Sequence, residues 1–98
     1  MKNFKFNWEY GDFRIRSMDN GEENPPFIEL LEYCENKNGK PYCFTLAYYE
    51  CDKEGGQLSF VGNRPFEEIA EIDLAPIWKQ LWLACKMLQD WWEKERFN

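Results

Sequence analysis

Residues 27–52 read FIELLEYCENKNGKPYCFTLAYYECD. Two apolar-rich runs, Phe27 to Asn36 and Pro41 to Asp52, flank Lys37-Asn38-Gly39-Lys40. Asn-Gly is the strongest short hairpin signal, because both central residues of a type I′ turn need positive φ. With Asn38 and Gly39 in the turn, Lys37 and Lys40 make the first hydrogen-bonded pair, and Asn36 and Pro41 a non-hydrogen-bonded one. Pro41 lacks an N–H and needs none there. The same register sets Leu31 opposite Leu46, Tyr33 opposite Phe44 and Cys34 opposite Cys43.

Outward toward the N-terminus, Phe4, Phe6, Trp8 and Tyr10 alternate with Lys5, Asn7 and Glu9, the period of a strand with one buried face. Gly11-Asp12 is a two-residue turn signal that pairs Tyr10 with Phe13, Glu9 with Arg14, Trp8 with Ile15 and Asn7 with Arg16. One side of this hairpin is aromatic and aliphatic; the other carries an opposite-charge pair. Gly21 to Pro26 reads as a loop. Toward the C-terminus, a fifth strand is expected from Gln57 to Val61 after a Lys53-Glu54-Gly55-Gly56 turn, ended by Gly62-Asn63-Arg64-Pro65. Phe66, Ile69 and Ile72 recur at helical spacing over a segment too short to assign. From Asp73, a capping residue, the period becomes helical, with Pro76 tolerated in the first turn. Leu74, Ile77, Trp78, Leu81, Ala84, Cys85, Leu88 and Trp92 fall in one stripe, opposite Lys79, Lys86, Asp90 and Lys94. The expected architecture is a single α+β domain over 1–98: an antiparallel β-meander of about five strands with one C-terminal α-helix packed on one face.

Ninety-eight residues allow one core. There is no His, which excludes Ser-His and Cys-His catalysis and imidazole metal ligands. No run approaches the ~20 apolar residues of a membrane span. Met1-Lys2-Asn3-Phe4-Lys5 lacks the apolar stretch of a signal peptide, so a reducing cytoplasm is expected. Eighteen acids against twelve bases give a net charge of −6. Residues 19–73 hold thirteen acids and four bases, or −9, while both flanks are slightly positive. Such a field repels phosphates, so direct nucleic-acid binding is not expected.

No residue set carries a catalytic or cofactor motif. Cys34, Cys43, Cys51 and Cys85 contain no Cys-x-x-Cys pair, which leaves zinc unsupported. Cys34 and Cys43 could be bridged across strands in an oxidising compartment; in a reducing one they serve as small buried hydrophobes. Glu50, Asp52 and Glu54 share a strand face, and Glu67, Glu68, Glu71 and Asp73 crowd one segment. These seven read either as a solvated face or as a patch that meets a basic partner. The helix carries Trp78, Trp82, Trp91 and Trp92, more than one sheet face can cover. Trp82, Leu83, Met87 and Trp91, at the edges and far side of the stripe, are candidate self-association residues.

The runs Tyr42-Cys43-Phe44-Thr45-Leu46-Ala47-Tyr48-Tyr49 and Gly56-Gln57-Leu58-Ser59-Phe60-Val61-Gly62-Asn63-Arg64-Pro65-Phe66 resemble segments of small uncharacterised acidic proteins of phages and prophages of gut bacteria. Trp8 to Arg16 has a similar character. The resemblance covers about half the chain, includes no catalytic motif and transfers no site residues. It implies a bacterial cytoplasm and a non-enzymatic accessory role. By size and charge it extends to inhibitors of host defence, including anti-CRISPR proteins. Two functional expectations follow: an inhibitor that docks its acidic surface on a basic-surfaced host protein, or a structural homodimer paired through the C-terminal helix.

Overall fold

The computed structural model describes residues 4–21, 24–52, 55–61 and 75–97. Its elements are β1 (Asn7–Tyr10), β2 (Phe13–Met18), β3 (Phe27–Glu35), β4 (Pro41–Asp52), β5 (Gly55–Phe60) and α1 (Ala75–Phe97). The strands form one antiparallel sheet in the order β1-β2-β3-β4-β5. Among the described residues this is the expected α+β meander with a single helix. That helix is not long and apolar enough to cross a membrane.

The first hairpin forms in the register that Gly11-Asp12 dictates, with Tyr10 opposite Phe13 and Asn7 opposite Arg16. Gly11 occupies the first turn position at φ +56°, where a side chain would be strained. Regular pairing starts at Asn7 rather than Phe4. Before it, the Ser17 N–H donates to Phe6 O (2.9 Å) and the Phe6 N–H donates to Ser17 Oγ (2.9 Å).

The second hairpin departs from the expected register near its tip. Asn36, rather than Lys37, closes the turn. Its N–H donates to Lys40 O, and its Oδ1 accepts from the N–H groups of Asn38 and Lys40 at 2.9 and 3.0 Å. This Asx geometry lengthens the loop to three residues, with Gly39 at φ +75° in the left-handed position. Pairing therefore slips by one: Glu35 faces Pro41, Cys34 faces Tyr42, Tyr33 faces Cys43 and Leu31 faces Thr45. A bulge between Leu30 and Leu31 leaves Leu46 unpaired and restores the expected phase, Leu30 opposite Ala47 and Ile28 opposite Tyr49. The expected oppositions of Leu31 with Leu46, Tyr33 with Phe44 and Cys34 with Cys43 are thus corrected. Cys34 and Cys43 project from opposite sheet faces, and all four cysteines are free thiols.

β5 begins two residues earlier than expected. Gly55 and Gly56 pair with Asp52 and Cys51 instead of forming the turn. The capping role of Asp73, the stripe position of Leu74 and the segment from Phe66 to Ile72 lie outside the described residues.

The helix covers the sheet face that presents Phe13, Ile15, Ile28, Leu30, Ala47 and Cys51. Ile77, Leu81, Ala84 and Leu88 lie at intervals of four, three and four along α1, a single row whose members are essentially inaccessible to water. They rest on β2, β3 and β4. The bulge lets Leu46 and Ala47 both enter this core. Phe4 closes one end, its ring 5.7 Å from that of Trp91. The opposite face carries a polar layer. Arg14 stacks on Tyr33 at 5.0 Å and approaches Glu9 at 3.6 Å, and Thr45 Oγ1 donates to Glu29 Oε1 at 2.9 Å. Leu31, whose register partners are Arg14 and Thr45, is fully buried within that layer.

Since full burial of a Leu contributes about 1.5–3 kcal/mol and its truncation also leaves a cavity, Leu88→Ala is expected to cost about 2–5 kcal/mol in urea unfolding. Leu83→Ala, on the exposed arc of the same helix, should stay within about 0.5 kcal/mol of the parent.

Candidate functional site

An α-helix with its side chains is about 10 Å across, whereas five strands about 4.8 Å apart span nearly twice that. One helix seated on β2, β3 and β4 therefore leaves part of the sheet uncovered. Both edge strands lie beyond the helix: on β1 Tyr10 is exposed, and β5 is left open. Alternation turns Leu58 and Phe60 toward the helix side, yet Leu58 stays 39% and Phe60 64% exposed. From above, Trp78 (37% exposed) and Trp82 (66%) lean over the same strip. The Phe60 and Trp78 rings meet edge-on at 5.7 Å.

Between them runs a groove of about 560 Å³ whose lining includes Tyr49, Leu58, Trp78, Leu81, Trp82 and Cys85. The Lys86 ammonium lies 5.3 Å from the Trp82 ring centre, holding that indole at the rim. Polar groups converge at one end. Tyr49 Oη donates to Gln89 Oε1 at 3.0 Å, Cys51 Sγ approaches the same oxygen at 3.4 Å, and Gln89 Nε2 donates to Glu93 at 3.2 Å. Tyr49 reaches Gln89 by lying across Gly56; a Cβ there would overlap the tyrosine ring. Gly56 is thus required by close approach, and the ring covers backbone that a glycine leaves bare.

Burial, reinforced by the neighbouring Cys51, pushes the Cys85 thiol up to about 12. Near neutral pH the thiol is therefore protonated, and it forms part of the groove wall. Among the described residues no group of three or more Cys, Asp or Glu is placed to hold a metal ion. The groove thus combines apolar walls with one hydrogen-bonded end.

The four expected self-association residues take different positions around the helix. Trp91 turns to the opposite side of the helix and packs on Phe4, with the core. Leu83 and Met87 are exposed but do not line the groove, so Trp82 alone of the four belongs to it. Of the seven acids, Glu50 is exposed and Asp52 ends β4 opposite Gly55. Glu54, Glu67, Glu68, Glu71 and Asp73 lie outside the described residues. The residues that composition and spacing did not single out are Leu58 and Phe60. Their signal was present: two apolar residues two apart on the last strand, beyond the width one helix can cover.

Two outcomes test this geometry. Gly56→Ala should displace Tyr49, cost about 1–3 kcal/mol as an overpacked site does, and quench the Tyr49–Gln89 hydrogen bond in NMR spectra. For Cys85, the ordinary pKa of 9.0 is raised on folding, so its contribution is constant below pH 9 and stability falls as pH climbs toward 12. Chemical denaturation across that window should show a shallower decline in Cys85→Ala than in the parent.

Comparison with known proteins finds no match: no family model, no curated protein and no solved structure is similar to this chain. The functional reading therefore rests on the groove and its neighbours.

Proposed function

We propose that the chain is a non-enzymatic protein-binding domain, a phage-type accessory protein of the bacterial cytoplasm, which docks on other proteins through the seam between α1 and β5. The observation that carries this is the joint exposure of Phe60 and Trp82, at 64% and 66%, beside Trp78 and Leu58. Scattered apolar residues are ordinary on a surface, but a contiguous aromatic strip around a groove is the composition of an interface centre. Direct nucleic-acid binding has no support in a chain of net charge −6.

A second reading has its own support in the −9 carried by residues 19–73. In it the acidic surface, with Glu50, Asp52, Glu54, Glu67, Glu68, Glu71 and Asp73, meets a basic host protein such as a defence nuclease, in the manner of an anti-CRISPR inhibitor. Charge chiefly accelerates encounter, whereas desolvated aromatic rings slow release, so the two surfaces respond differently to salt.

Affinity capture from a bacterial lysate separates them. Under the seam reading, a captured protein persists to ~1 M salt, where the Debye length is about 3 Å, and is lost with Trp82→Glu or Phe60→Lys. Loss in high salt and with Glu67→Lys/Glu68→Lys/Glu71→Lys, but not with the seam variants, would instead favour the acidic surface. If no protein is held in a way that either set of variants alters, and the chain does not bind itself, the protein-binding reading is wrong.

A further inference from the structure

β5 is the last strand of the sheet, and no described strand lies beyond it. The Val61 N–H donates to Leu46 O at 2.9 Å, which fixes the alternation along the strand. Ser59 and Gln57 turn their backbone groups to β4, while Leu58, Phe60 and Gly56 point theirs outward from the sheet. Natural sheets protect such edges with Lys, Pro, inward charges or bulges. Gly55-Gly56-Gln57-Leu58-Ser59-Phe60 has none of these. The opposite edge, β1, is only four residues long and carries Glu9.

We infer that the seam is completed by a second copy of this chain, β5 pairing antiparallel with β5 of the partner about a two-fold axis perpendicular to the sheet. The inference rests on the seam being a protein-docking surface and names its occupant. An axis of this kind joins two five-stranded sheets into one of ten and places both helices on the same side. The two grooves then face each other, and Phe60, Trp78 and Trp82 of each copy close over the junction. With Leu58 on the axis, Phe60 lies opposite the partner's Gly56, which contributes no competing side chain.

Charge permits a copy at this edge despite the net −6. Two bodies of −6 repel over most of their surfaces and can meet only where no like charges are brought together. β5 is neutral, and the charged residues on the groove rim, Lys86 and Asp90, are opposite in sign. Lys86 and Asp90 offset each other, so the rim itself favours neither a basic nor an acidic partner. Area sets the strength. Rings that bury roughly 150–250 Å² each when covered, exposed to the extents given, offer roughly 250–400 Å². A standard interface buries about 800 Å² per partner, so with Leu58, Val61 and the strand edge the contact is at the small end and reversible.

Sedimentation equilibrium of the purified chain over a ~100-fold concentration range tests this. The mass should rise from 11.9 kDa toward twice that value, and at lower concentration in ~1 M salt, where the mutual repulsion is screened. Phe60→Lys and Trp82→Glu, both at exposed positions, should keep the parent's circular dichroism and shift dimerisation by at least ~10-fold, the effect of losing about 1.4 kcal/mol. Leu83→Glu and Met87→Glu should leave it unchanged. A monomer at every concentration, or a dimer indifferent to Phe60→Lys, overturns the inference. A monomer whose seam variants still release a captured lysate protein overturns the dimer alone and leaves the docking role intact.

Discussion

The structure depends on a mismatch in width: one helix must shield a sheet five strands broad. The row Ile77, Leu81, Ala84 and Leu88 settles on the central strands because Ile15, Ile28, Leu30 and Ala47 supply its flattest apolar floor. Burial there fixes which face of every strand looks inward, since a one-residue slip would reverse the whole set. It also leaves a deficit at each margin. On the β1 side Phe4, Trp8 and Trp91 fill it in part, leaving Tyr10 exposed. On the β5 side no described residue does so, and the aromatic strip is what remains.

The architecture was legible because period-2 alternation, turn chemistry and period-3.6 spacing all agreed. The first hairpin came out residue for residue, since a Gly-first turn and an opposite-charge pair demand one register. The second misled near its tip. Asn38-Gly39 favours a two-residue loop, but the Asn36 carboxamide accepts two backbone N–H groups and holds a three-residue loop instead. Pro41 could not discriminate, because it falls at a non-hydrogen-bonded position in either register. Bulges leave no local mark, so the return to phase at Leu46 was invisible and the two cysteines seemed to face each other.

The candidate site was legible only in part. Trp82 stood out because it lies at the edge of the helical stripe. Trp91 stood out for the same reason, yet tertiary contact with Phe4, some ninety positions away in the chain, claims it for the core. Leu58 and Phe60 passed as ordinary strand residues. Recognising them requires knowing on which strands the helix sits, and that is a property of packing rather than of pattern.

The extra residue at the tip of the second hairpin and the unpaired Leu46 are equal and opposite errors of phase. Between them, residues 31–45 form a segment displaced by one step from the frame to which the rest of the sheet conforms. Only its outer end, beyond Tyr33 and Phe44, is insulated: that end can be spliced or trimmed without altering how Ile28 meets Tyr49. Divergence of sequence can therefore concentrate in this arm while the vault beneath the helix stays constant.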